Sequence, residues 1–153
     1  MTVPSTLGND LLRSAARLSR WASRHASFDV PFAQARLLAL LDELGPSRVS
    51  TLAAADHSSQ PTITTQLQRL EASGWVDRAS DPDDARATVI SLSDEGRAAL
   101  ESVRRARLAV LSPTLDQLDE TALDRVRIAV EVMNELLAAA AATPVPHPTR
   151  KDG

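Results

Sequence analysis

The 153-residue chain contains no cysteine. Disulfides, thiolate metal sites and cysteine-based sensing of oxidants are therefore excluded. Tyrosine is absent too, and the aromatics are two Phe and two Trp, so any core must be mostly aliphatic. The five glycines are scattered and form no phosphate-cradling loop. The three histidines, at 25, 57 and 147, do not have metal-ligand spacing. The acids Asp81, Asp83 and Asp84 lack the spaced glutamate of a calcium loop. No enzyme activity, cofactor or metal is expected from such a set. No apolar run approaches the roughly 20 residues that span a bilayer. No basic-then-apolar leader opens the sequence, so a cytoplasmic location is expected. Positive charge is also short, with a formal net charge of −3.

What is abundant is Ala and Leu, which favour helix, in a length that suits one domain or one intertwined protomer. The most informative stretch runs from Ser58 to Gly96. Ser58 or Ser59 can cap a helix, and Pro61 sits in the first turn, where its missing N–H costs little. Ile63, Leu67 and Leu70 fall at i, i+4 and i+7, one buried stripe, and Gly74 supplies a left-handed stop. Two β-rich runs follow, Trp75–Arg78 and Thr88–Leu92, around a polar loop at Ala79–Ala87 with an Asp81-Pro82 turn. Helix, strand, loop, strand is the layout of a winged helix.

The opposite helix face is polar. Counted from Ile63, Thr65 lies about 200° round, Gln68 about 140° and Arg69 about 240°. With Ser59, Gln60 and Thr62 at the helix start, this face suits base edges and phosphates in a major groove. An ordinary solvated face has the same appearance.

Asp81-Pro82-Asp83-Asp84-Ala85-Arg86, then Val89-Ile90-Ser91-Leu92-Ser93 and Gly96, resembles the signature of the multiple-antibiotic-resistance regulator (MarR) family. Leu70-Glu71, Gly74-Trp75-Val76 and Arg78 match the same family. The resemblance is specific over about forty residues, and the helical flanks extend it to most of the chain. It implies a homodimer that binds double-stranded operator DNA. A recognition helix would enter the major groove and Arg86 of the wing the minor groove, with Asp84 orienting Arg86; Arg78 joins the DNA-binding set. One departure is Ala85, where the family often has a second basic residue. Some members sense oxidants through cysteine, which this chain cannot do.

Elsewhere, a helix is expected from about Leu7 to Ala26 after a loose Thr2–Thr6 lead-in. Arg13, Arg17, Arg20 and Arg24 form a stripe on it that can track phosphates or make salt bridges across a dimer. A second helix, Phe32 to Leu44, is bracketed by Pro31 and Gly45-Pro46. Val49–Ala55, capped by Ser50, and a turn at Asp56–Ser59 complete a helix-turn-helix. Ser93 starts a long helix, with a break expected near Ala109–Ser112 before Pro113. Its Arg104, Arg105 and Arg107 are expected to pair within the helix or between subunits. Asp119 can cap a last helix whose Leu123, Val126, Val130, Met133 and Leu137 form a heptad-like seam.

The fold class is thus mainly α: a winged helix-turn-helix at 31–94, helical dimerisation segments at 1–30 and 95–142, and a disordered tail at 143–153. The function that follows is ligand-responsive transcription regulation, as a repressor. By resemblance the effector, small and aromatic or anionic, would lie where the first, second and fifth helices meet. The candidates there are Trp21, Arg24, His25, Phe28 and Phe32. The charge balance motivates an alternative: a winged-helix dimer that binds protein rather than DNA. Residues 49–93 carry three arginines against six acids, which lowers non-specific DNA affinity.

Overall fold

A computed structural model describes residues 5–143. The chain runs α1 (Ser5–His25), α2 (Phe32–Leu44), β1 (Ser47–Arg48), α3 (Val49–Asp56), α4 (Gln60–Ala72), β2 (Val76–Asp81), β3 (Asp84–Leu92), α5 (Asp94–Leu115) and α6 (Glu120–Ala142). The fold is mainly helical, with a three-stranded antiparallel wing sheet. It divides into two compact units, one through Leu111 and one from Ser112.

The first unit holds the core. Leu37, Leu38 and Leu41 of α2 meet Leu52 of α3, Ile63, Leu67 and Leu70 of α4, Ile90 and Leu92 of β3, and Leu100 and Val103 of α5. A fully buried Leu or Ile side chain contributes about 1.5–3 kcal/mol, so the three buried positions of α4 hold that helix firmly. Helix α2 has its expected bounds, because Pro31 fixes an extended entry and Gly45, at φ 74°, ends it. Helix α1 starts at Ser5, inside the expected lead-in.

The two ends of the helix-turn-helix are closed by the same device. After α3, His57 takes φ 55°, its N–H donates to Ala54 O, and Ser58 N–H donates to Ala53 O. After α4, Gly74 takes φ 72°, its N–H donates to Glu71 O, and Trp75 N–H donates to Leu70 O. Both are left-handed caps that satisfy orphan carbonyls. Ser59, not Ser58, caps α4, with its hydroxyl accepting from Thr62 N at 3.3 Å. The expected Ser50 cap on α3 is corrected. Arg48 is the extended N-cap residue and makes no side-chain cap bond.

The sheet order is β1-β3-β2. Strand β1 was not foreseen; it is two residues long and exists through pairing, Ser47 with Ile90 and Arg48 with Val89. The wing strands also extend well into the expected Ala79–Ala87 loop. Ala79 pairs with Val89 and Ser80 with Thr88, leaving Pro82 and Asp83 as the turn. A two-stranded ribbon standing in water satisfies its backbone by pairing, so polar side chains do not stop it. The register then jumps to Asp81 opposite Asp84, which leaves Ala85, Arg86 and Ala87 outside the ladder.

Helix α5 begins at a tight joint. Ser93 Oγ donates to Gly74 O at 2.6 Å and accepts from Gly96 N at 3.0 Å. A Cβ on Gly96 would lie 1.9 Å from Trp75 O, so only glycine lets that carbonyl rest on the helix. The expected break before Pro113 does not occur, and α5 runs to Leu115. Pro113 is close to the helix end, and the one internal bond it forfeits, to residue 109, leaves the earlier turns intact. Two arginines of the basic cluster bond to other helices of the same chain rather than within α5. Arg104 bonds Asp42 of α2 at 2.7 Å, and Arg107 bonds Ser19 Oγ of α1 at 2.8 Å.

In the second unit, Asp119 caps α6, accepting from Ala122 N at 2.8 Å. No residue of α6 is buried, and Val130 and Leu137 are 51% and 66% exposed. Of the expected tail, Thr143 is the α6 C-cap residue, and 144–153 lie outside the described residues.

Candidate nucleic-acid interface

Helix α4 buries one stripe and presents the other. Ser59, Gln60, Thr62, Thr65, Gln68 and Arg69 are all exposed, as are Arg78, Asp84 and Arg86 of the wing. Some of this polar capacity is already used. Ser59 and Thr62 hydroxyls lie 2.8 Å apart, and Thr65 Oγ1 donates back to Pro61 O at 3.0 Å. Gln60, Gln68 and Arg69 are the helix's long exposed polar side chains, with reach to base edges or phosphates.

Neutralisation of neighbouring acids was not visible in the sequence. Asp56 at the end of α3 takes two bonds from Arg36 of α2, at 2.8 and 2.9 Å. Asp81 at the base of the wing takes Arg48 Nε at 2.5 Å. Glu71 pairs with Arg78, so the Arg78 charge is tied to α4. Three of the six acids in 49–93 are therefore paired, two of them by arginines from outside that segment. Among the described residues, Arg69 and Arg86 have no ion-pair partner. Of the three arginines in 49–93, they are the two left free to meet phosphate. Arg36 and Arg48 lie 20 and 33 residues from their partners, beyond any local pattern.

The wing tip is held by its aspartates. Asp81 Oδ1 accepts from Asp83 N at 2.9 Å, and Asp84 Oδ1 accepts from Arg86 N at 3.0 Å. Asp84 thus fixes the backbone at Arg86 rather than its guanidinium, and the long side chain projects from an unladdered bulge. The Asp83 amide and then Arg48 hold the Asp81 carboxyl below the ordinary carboxylate range, and Asp81 in turn raises Arg48.

The five effector candidates separate. Phe28 and Phe32 line a cleft of about 260 Å³ between α1, α2 and α5, with Arg36, Arg104 and Arg107. Trp21 and Arg24 line a groove along α1 instead. His25 stays on α1, its Nδ1 2.8 Å from Trp21 O and its ring 5.0 Å from the Trp21 ring. The cleft's cations, Arg36, Arg104 and Arg107, were missed as cleft residues.

A model of the MarR family matches residues 32–88, a span that runs from α2 through the wing tip. An uncharacterized helix-turn-helix transcriptional regulator of Mycobacterium bovis is 32% identical over 132 residues, which cover 86% of this chain and 92% of that protein. The helix-turn-helix transcriptional repressor IacR of Pseudomonas putida is 28% identical over 105 residues, covering 69% of this chain and 62% of IacR. The crystal structure of a transcriptional regulator from Thermotoga maritima shares the fold, with a TM-score of 0.71 and 20% identity over 92% of this chain and all of that one.

Proposed function

Since the chain belongs to the MarR family of helix-turn-helix transcription regulators, a family of DNA-binding proteins and not of enzymes, we propose that it is a homodimeric, ligand-responsive repressor acting in the cytoplasm. Residues 31–94 would read DNA, and 1–30 with 95–142 would form the dimer. Each copy would set α4 in a major groove and Arg86 in the adjacent minor groove of a palindromic operator. The observation that carries this reading is the exposed, uncompensated pair Arg69 and Arg86 on a head whose acids Asp56, Glu71 and Asp81 are already neutralised. The same observation weakens the protein-binding alternative, whose motive was the acidity of this segment. Repression is supported by the likeness to IacR. The dimer is supported by the exposed seam of α6. Among the described residues, no helix is long and apolar enough to cross a membrane.

An aromatic carboxylate is the effector class that suits the cleft between α1, α2 and α5. Phe28 and Phe32 offer apolar wall, and Arg36, Arg104 and Arg107 offer carboxylate partners. Arg36 also grips Asp56 at the end of α3, so an anion in the cleft meets the side chain that steadies the helix-turn-helix. The ligand would shift the population toward a dimer whose reading helices are mis-spaced for the operator. Linkage makes the effect reciprocal. Titrating a salicylate-like ligand with and without operator tests it: ligand affinity should fall when operator is bound, and equal affinity would rule out allosteric release.

A further inference from the structure

One of the three arginines in 49–93 is held by a carboxylate that serves its own helix poorly. Glu71 lies in the last turn of α4, one residue before the helix ends at Ala72. A negative charge there meets the negative end of the helix dipole, so Glu71 by itself disfavours α4. Its partner is Arg78 of β2. Side chains alternate along a strand, so Arg78 shares a face with Val76, which joins Leu67 and Leu70 of α4 in the core. The strand thus carries Arg78 on the side that faces α4, where Nε donates to Glu71 Oε1. Arg69 does not take its place, because two residues before Glu71 is about 200° round the helix. The paired Arg78 and Glu71 side chains are 37% and 30% exposed, so solvent screens the pair and its worth to folding is small. Its effect on charge is larger: freeing Arg78 would raise the unpaired arginines of this segment from two to three. The pair joins the recognition helix to the wing, the two elements proposed to contact DNA.

We propose that Glu71 is a positioning residue that sets DNA affinity: it holds the Arg78 guanidinium off the phosphates, in the free protein and on DNA, and so limits the sequence-independent part of binding. This rests on the DNA-binding reading above and gives Glu71 a part in it. Phosphate contacts attract every sequence alike. A third free arginine would tighten binding to operator and to all other DNA together. Holding Arg78 back keeps the chain from lingering on non-operator DNA, while Arg69 and Arg86 remain available.

Fluorescence anisotropy with a mixed-sequence duplex tests it, in wild type, Glu71→Gln and the double variant Glu71→Gln/Arg78→Gln. Glutamine keeps the shape of the glutamate side chain and drops its charge. Glu71→Gln should bind more tightly than wild type, with a salt dependence steeper by about one phosphate contact per protomer. On lowering salt from about 200 to about 50 mM, its affinity should therefore rise about 3.5-fold more than that of wild type for each protomer engaged. The extra steepness should disappear in the double variant, which lacks the cation. A merely structural pair predicts the opposite: Glu71→Gln would loosen β2 on α4, lower the urea midpoint and weaken binding. While wild type still binds, equal or weaker binding by Glu71→Gln overturns the proposal alone, and so does failure of that variant to fold. Tighter binding at an unchanged slope would mean that phosphate already takes Arg78 from Glu71, and overturns it. Extra steepness that survives in the double variant would mean that another cation is responsible, and overturns it as well. Wild-type protein that binds no duplex at low salt would remove the DNA-binding reading itself, and the proposal with it.

Discussion

Arg48, the residue before α3, reaches across to Asp81 at the base of the wing, with Nε 2.5 Å from Oδ2. Asp81 spends its other oxygen on the Asp83 amide in the wing turn. One carboxylate therefore ties the helix-turn-helix to the hairpin that carries Arg86. Its side chain is only 9% exposed, while that of Arg48 is 44% exposed. The brace fixes the helix-turn-helix and the wing, the two elements proposed to contact DNA, relative to each other.

Removing the brace should cost DNA binding more than folding. Arg48→Ala should weaken operator affinity by less than about tenfold, since a partly exposed pair contributes little by itself, and should raise hydrogen exchange in β2 and β3. Acid should have the same effect. The Asp81 carboxyl titrates lower in the folded chain than in the unfolded one. Its contribution is therefore complete above the ordinary carboxylate value, about 3.9, and is lost as pH falls through the lower folded value. Wing exchange followed by NMR, corrected for the intrinsic pH dependence of amide exchange, should stay flat from pH 7 to about 5 and rise only in stronger acid. A rise near neutrality would contradict the assignment.

Gly96→Ala should destabilise the protein by about 1–3 kcal/mol, the range for forced overpacking. The new Cβ would meet the Trp75 carbonyl, a backbone atom that cannot swing aside. Urea denaturation should show a lower midpoint with an unchanged slope. An unchanged midpoint would mean that the joint between α4, β2 and α5 is looser than described.

Arg86→Ala should lose about 1–3 kcal/mol of operator affinity, most on sites with a narrow A·T-rich minor groove. Arg69→Ala should weaken binding to all sequences alike and reduce the salt slope by about one. Fluorescence anisotropy across salt concentrations and two operator variants separates the two. Identical behaviour of both variants would contradict their separate roles.

In the cleft, Phe32→Ala and Arg104→Ala should each weaken binding of a salicylate-like ligand, whereas Trp21→Ala should not. Arg36→Ala should in addition lower operator affinity without ligand, because it releases Asp56. Isothermal titration of the four variants checks this. A loss confined to Trp21→Ala would move the site to the α1 groove.

Local chemistry made much of the fold readable. Pro31 and Gly45 bracket α2, and Pro61, Gly74 and the Ile63–Leu67–Leu70 stripe define α4. What escaped depends on partners distant in sequence. Ser47 and Arg48 become a strand only beside Val89 and Ile90. Ala79 and Ser80 look like loop because their small, exposed side chains say nothing of backbone pairing. Trp21, Arg24, His25, Phe28 and Phe32 are neighbours in sequence, but helical rotation sends Trp21 and Arg24 to one groove and the chain reversal takes Phe28 and Phe32 to another. Two of the three arginines lining the cleft with those phenylalanines, Arg104 and Arg107, come from α5, some seventy residues on.

The central claim is that α4 and the wing of a two-fold dimer read DNA. Selection of bound duplexes from a random-sequence library, followed by footprinting of the enriched site, tests it most directly. The account predicts an imperfect palindrome with half-sites about 10 base pairs apart, protected by the wild-type chain and protected only at higher protein concentration by Arg86→Ala. Failure to enrich any sequence, or protection of a single unpaired half-site, would contradict it.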